Sequence, residues 1–123
     1  MIAGTVFAVL AVILGAFGAH ALKSKMSADM LQVYETGVRY QFYHSFALLV
    51  VGLVYQAYSG RSLELATLFF IIGIVLFSGS LYAISFMSIS GASIGKFGIL
   101  TPIGGLFFIL GWLQLLIGII RSR

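Results

Sequence analysis

The strongest constraint on this chain is where its charges are missing: the runs 2–19, 42–58, 65–87 and 99–120 hold none of its seven Lys and Arg or three Asp and Glu. A helix crossing roughly 30 Å of hydrocarbon needs about 20 mostly apolar residues, and each run approaches that length. The chain is 61% hydrophobic and 8% charged, against roughly 45–50% and 25% in soluble domains. Its polar side chains are too few to clothe a globule in water, whereas lipid asks only for an apolar exterior. The pattern predicts an all-α membrane protein: a four-transmembrane-helix bundle, one membrane domain over 1–123, multi-pass in the cell (plasma or inner) membrane. Run 2–19 ends near a small-x-small pattern, Ala19-His20-Ala21. It exceeds the roughly 7–15 residues of a signal's apolar region and no Lys or Arg precedes it, so it reads as a retained span.

The formal charge of +4 is spread over the ends of these runs, as headgroups and the positive-inside bias favour; it forms no nucleic-acid patch. With four spans, Arg61, Arg121 and Arg123 share the N-terminal side while Lys23, Lys25, Lys96 and Arg39 lie opposite, a balance that sets no orientation. There is no cysteine, hence no disulfide, thiolate metal site or cysteine nucleophile.

Turn chemistry marks the connectors. Ser59-Gly60-Arg61-Ser62 predicts a tight antiparallel hairpin, with Ser62 as N-cap of the third helix and Glu64 in its first turn. Residues 88–98, rich in Ser and Gly and holding Lys96, read as a flexible loop, and Thr101-Pro102 as N-cap and first position of the fourth helix. Helices in lipid associate by close approach at small residues. Candidate seams are Gly4, Ala8, Ala11, Gly15 and Gly18; Ser45, Gly52 and Ser59; Ala66, Gly73 and Ser80; and Gly104, Gly111 and Gly118. The last three sets repeat every seven residues, which suits left-handed packing.

The second helix carries a long amphipathic N-terminal extension. At 100° per residue, Gln32, Glu35, Thr36, Arg39, Tyr40, Tyr43 and His44 share about half of its circumference, with Leu31, Val38, Phe42 and Ser45 mostly opposite. A helix from Ala28 to Tyr58 would be about 46 Å long, so it overshoots the hydrocarbon or tilts.

Ionisable groups at membrane depth are costly and become candidates for function. Glu35 and Arg39, four apart with the acid first, are expected to pair along one face, and the Tyr43 hydroxyl could join them. Such a pair serves either as an interfacial anchor or as the lining of a polar path. His44 lies inside a span, and His20 closes the first helix at a similar depth if the two helices are antiparallel. Their default role is hydrogen-bonded packing; proton handling and ligation of a haem iron are the alternatives. Zinc wants three or four ligands, which this spacing does not supply. Ser78, Ser80 and Gln114 read as glue between helices, and Trp112 should face the bundle and find an acceptor for its indole N–H. Phosphate loops, nucleophile elbows and paired carboxylates are absent.

Five strings carry a resemblance: GAFGAH at 15–20, TGVRYQFYH at 36–44, FSGSLY at 77–82, TPIGG at 101–105, and Gly111-Trp112. With these the chain resembles, over nearly its whole length, a family of small bacterial inner-membrane proteins catalogued as domain of unknown function 423, the YgdD/YwdK-like proteins. Ala21 stands where the family's pattern has glycine. The resemblance implies four membrane helices and no established activity. The candidate polar membrane site is therefore His20, Glu35, Arg39, Tyr40, Tyr43 and His44, with no catalytic residue, metal or cofactor assigned. The expected role is a structural or accessory bundle, not an enzyme, whose partners are membrane lipid and a second copy or another membrane protein. The alternative is an oligomeric channel or transporter for a small polar solute or ion.

Overall fold

The computed structural model describes residues 1–93, 95 and 97–122, which form four helices and no strand. These are α1 (Ile2–Leu22), α2 (Ala28–Ala57), α3 (Arg61–Ser90) and α4 (Phe97–Arg121). The chain is thus an all-helical membrane protein, as its apolar runs require. Among the described residues, α1, α3 and α4 are long and apolar enough to cross a bilayer. Helix α2 falls short, because Asp29, Gln32, Glu35, Thr36 and Arg39 occupy its first half, where each ionised group is costly in hydrocarbon.

The helix ends follow local chemistry, with some departures from the sequence expectation. Ser27 caps α2, its Oγ accepting from the Met30 N–H at 3.3 Å with Asp29 in the first turn. Helix α3 is capped by extended Gly60, not Ser62, which lies buried one residue inside. Glu64 does sit in the first turn, 3.3 Å from Arg61. Helix α3 also runs past the expected end to Ser90, where Gly91 closes it in the left-handed conformation (φ 68°). Helix α4 begins at Phe97 rather than Thr101-Pro102. Thr101 is drawn away from capping by α3, its hydroxyl meeting Ser80 Oγ at 2.7 Å. Lys96, expected in this connector, and Arg123 lie outside the described residues.

The bundle takes the form of a row. Helix α1 packs on α2 alone, α2 on α3, and α3 most extensively on α4, while α2 and α4 touch briefly. Small residues set this packing. Gly104, Gly111 and Gly118 of α4 press on Phe77, Phe70 and Leu63 of α3 so closely that an added Cβ would collide with each. Both sets step by seven, so one antiparallel register repeats along the seam. In return Gly73 admits the ring of Phe108, and Ala66 and Ser80 are buried on the same face of α3. Across the α1–α2 seam, a Cβ on Gly4 would stand 2.9 Å from the Ser45 carbonyl oxygen, and Gly18 rests on the Tyr34 ring. Gly52 abuts Met1, whereas Ser59 lies exposed beyond the helix.

Two π turns widen the helices, at Gly18–Leu22 in α1 and Ile74–Ser78 in α3. Each overlaps a string that carries the family resemblance, at 18–20 and 77–78, and such turns recur at functional sites. The exterior is apolar, with Ile2, Val12, Ile13, Val75, Ile109 and Ile120 exposed, while Gln41, His44, Ser45, Ser78, Ser80 and Ser85 are buried. That reverses the arrangement of a protein in water and matches lipid as the solvent.

Candidate functional site

Helix α2 touches each of the other three helices, and its two faces have different fates. The polar stripe turns outward: Gln32, Glu35, Arg39, Tyr40 and Tyr43 are exposed and Thr36 is half-buried. Arg39 Nη2 donates to Thr36 Oγ1 at 3.2 Å, and that hydroxyl donates to the Gln32 carbonyl at 2.8 Å. The expected Glu35–Arg39 pair is not formed; among the described residues the one ion pair is Arg61–Glu64. The Arg39 guanidinium turns back to Thr36 instead, and Glu35 stays exposed. The Tyr43 ring lies 6.2 Å from that of Tyr40, and its hydroxyl joins no such pair.

His44, at the edge of the same stripe, turns inward between α3 and α4. Its ring stacks on Phe108 with centroids 3.4 Å apart and planes within 5°. The two nitrogens are assigned by their neighbours. Nδ1 lies 2.7 Å from the Tyr40 carbonyl, which can only accept, so Nδ1 carries the hydrogen. Nε2 is then the acceptor for the Trp112 indole N–H at 3.3 Å, which is the acceptor that Trp112 was expected to need. One neutral tautomer satisfies both contacts; a proton on Nε2 would set two donors face to face. His20 is not part of this arrangement. It is exposed on the α1 π turn, and since Gly18 faces Tyr34 and Gly4 faces Ser45 and Leu48, His20 lies roughly 20 Å along the axis from His44. The two histidines are not brought together for a haem or a proton relay.

The structure adds a set of residues that the sequence did not single out. Gln41, 3% exposed, donates through Nε2 to the Phe7 carbonyl of α1 at 2.9 Å and accepts through Oε1 from the Tyr82 hydroxyl of α3 at 2.8 Å. Tyr34, fully buried, donates to the Leu14 carbonyl at 2.8 Å, and its ring lies 5.2 Å from that of Tyr82. Ser85 Oγ reaches the Met30 carbonyl at 3.3 Å as well as Leu81 in its own helix. Together they bolt α1, α2 and α3 through polar bonds buried from lipid. Two of the quoted strings reach this region, TGVRYQFYH through Gln41 and FSGSLY, which ends on Tyr82.

A largely apolar exterior, three helices able to span and an interior of interhelical polar locks define a helical integral membrane protein. The chain belongs to the family described as Protein of unknown function (DUF423), whose family model matches residues 14–105, the family that the motif strings resemble. It is 43% identical over 122 residues to the UPF0382 membrane protein YwdK of Bacillus subtilis (strain 168), covering 98% of this chain and 95% of that one. It is 44% identical over 118 residues to UPF0382 membrane protein SSP2132 of Staphylococcus saprophyticus, covering 96% and 93%. It is 36% identical over 112 residues to the UPF0382 inner membrane protein YgdD of Escherichia coli (strain K12), covering 91% and 82%. No solved structure matches.

Proposed function

We propose that the chain is a structural or accessory bundle that crosses the cell membrane four times, both termini on one side, and acts by contacting lipid or another membrane protein. One observation carries this reading: Gln41, Tyr34, Tyr82 and His44 already spend their interior polar groups on bonds within the protein, mostly between helices. Gln41 uses both ends of its amide, Tyr34 and Tyr82 their hydroxyls, and His44 both ring nitrogens. Groups lining a solute path must instead exchange partners with what passes. The crossing of α2 is supported by its flanks, since α1 and α3 pack against it and are themselves long and apolar enough. The inner membrane named for the Escherichia coli relative supports the location. The reading includes no catalytic step: Ser45 and Ser85 donate to carbonyls of their own helix, not to a base.

Transport is the second reading, favoured by the outward stripe of Gln32, Glu35, Arg39 and Tyr43, which several copies around an axis would turn into a lining. Reconstitution into liposomes separates the two. Vesicles holding folded protein should show ion and solute flux no greater than empty ones; flux that disappears in Arg39→Ala overturns the accessory reading.

A further inference from the structure

On the α4 side of α2 lies an open cleft of about 700 Å³, within the roughly 300–1,000 Å³ of small-ligand sites. Its floor is Phe77 of α3, and its walls are Tyr40 of α2 and Gly105, Leu106, Ile109 and Trp112 of α4. Gly105 borders open space, because a Cβ there would meet only the Phe77 ring, at 3.8 Å. Helices α2 and α4 are both antiparallel to α3 and so run parallel. The cleft therefore follows the helix axes, from Tyr40 inward to Trp112.

Polar chemistry begins at the outer end. The Tyr40 hydroxyl has no hydrogen-bond partner among the described residues. One turn outward, Thr36 holds Arg39 Nη2 at 3.2 Å. Thr36 stands four residues before Tyr40 on the same helix face, so the contact holds the guanidinium about one turn beyond Tyr40, toward the end of the bundle where Lys23 and Lys25 are exposed. Among the described residues no carboxylate lies within ion-pair distance of it, although Glu35 shares the exposed stripe. Apolar walls ending in a cation and a phenol complement an amphiphile whose head is anionic.

We propose that this cleft holds one acyl chain of an anionic phospholipid, with the headgroup phosphate on Arg39 and Tyr40. The assignment rests on the lipid-contacting reading above and names its ligand class. Trp112 is the chain's single tryptophan and lines the cleft, so bromine on an acyl chain seated there quenches its fluorescence by contact. The protein is reconstituted in phosphatidylcholine vesicles with a minor share of phosphatidylglycerol, and bromine is placed on the chains of one lipid or the other. Brominated phosphatidylglycerol should be enriched at Trp112 roughly fivefold over its bulk share, about 1 kcal/mol. Arg39→Gln should return it to the bulk share, and Gly105→Leu, which fills the cleft, should weaken quenching by both lipids. Quenching in proportion to bulk composition in the unaltered chain, or enrichment that survives Arg39→Gln, overturns the proposal. The unaltered chain decides by itself if Gly105→Leu loses its helical ellipticity. Bulk-like quenching in vesicles without flux would sink the lipid site and leave the accessory reading standing; Arg39-dependent flux with enrichment intact would do the reverse.

Discussion

Gln41 is a single amide, yet it holds a carbonyl of α1 and a hydroxyl of α3 at once. Hydrogen bonds between membrane helices average about 0.6 kcal/mol and reach roughly 1.7, so Gln41→Leu, which removes both, should cost about 1–3 kcal/mol. Combining it with Tyr82→Phe should cost less than the two singles together by about 0.5–1.5 kcal/mol. Unfolding titrations in detergent measure this, and strict additivity would mean that the bond contributes nothing. Glu35→Gln and Arg39→Gln should by contrast be additive within about 0.5 kcal/mol, because Arg39 is held by Thr36. Ser78 offers the opposite sign: its Oγ is buried without a partner, so Ser78→Ala should be neutral or stabilise by up to about 1 kcal/mol. A clear drop in melting temperature would mean that the hydroxyl is satisfied. At this scale the sequence was legible in part. That Trp112 needs an acceptor follows from its indole and its place in the run, but that His44 supplies it is a fact of tertiary register. Four-residue spacing put Glu35 and Arg39 on one face, yet spacing does not say which neighbour on that face the guanidinium takes, and it takes Thr36. Gln41 stayed hidden because periodicity assigns a face and cannot say which helix will cover it.

The helices themselves were legible wherever length and apolarity decide. Their limits were less so, because a cap depends on competition: Thr101 is a good N-cap by type but is engaged by Ser80. The π turns left no trace in the sequence, since one extra residue per turn changes no composition and the seven-residue seam resumes on either side of it. The glycine seam, by contrast, was readable in α4, where all three of Gly104, Gly111 and Gly118 meet α3. Two substitutions separate packing from propensity. Gly104→Ala drives a methyl into the backbone of Phe77 and should destabilise by about 1–3 kcal/mol, as overpacking does. Gly79→Ala meets nothing within 4 Å and should stabilise by roughly 0.5–1 kcal/mol through backbone entropy. Thermal unfolding of both variants checks the pair, and equal shifts would mean that the seam does not hold the helices.

For the molecule as a whole, the proposed four crossings would place the α2–α3 turn and the C-terminus on one side and the α3–α4 connector on the other. The chain lacks cysteine, so single cysteines at Ser59, Ser93 and Ser122 report cleanly. An impermeant thiol reagent should label Ser59→Cys and Ser122→Cys from one side and Ser93→Cys from the other. Labelling of Ser59→Cys together with Ser93→Cys from one side would mean that α3 does not cross. The row of helices bears on how the molecule is made. The three large interfaces are α1–α2, α2–α3 and α3–α4, so each joins neighbours in the chain and folding proceeds through local closure. At about 5–20 residues per second, a ribosome that has delivered α2 has already delivered all that α1 will touch. The nascent chain can finish one hairpin while the next is still being translated, and no seam has to wait in the bilayer for a partner from the far end of the message.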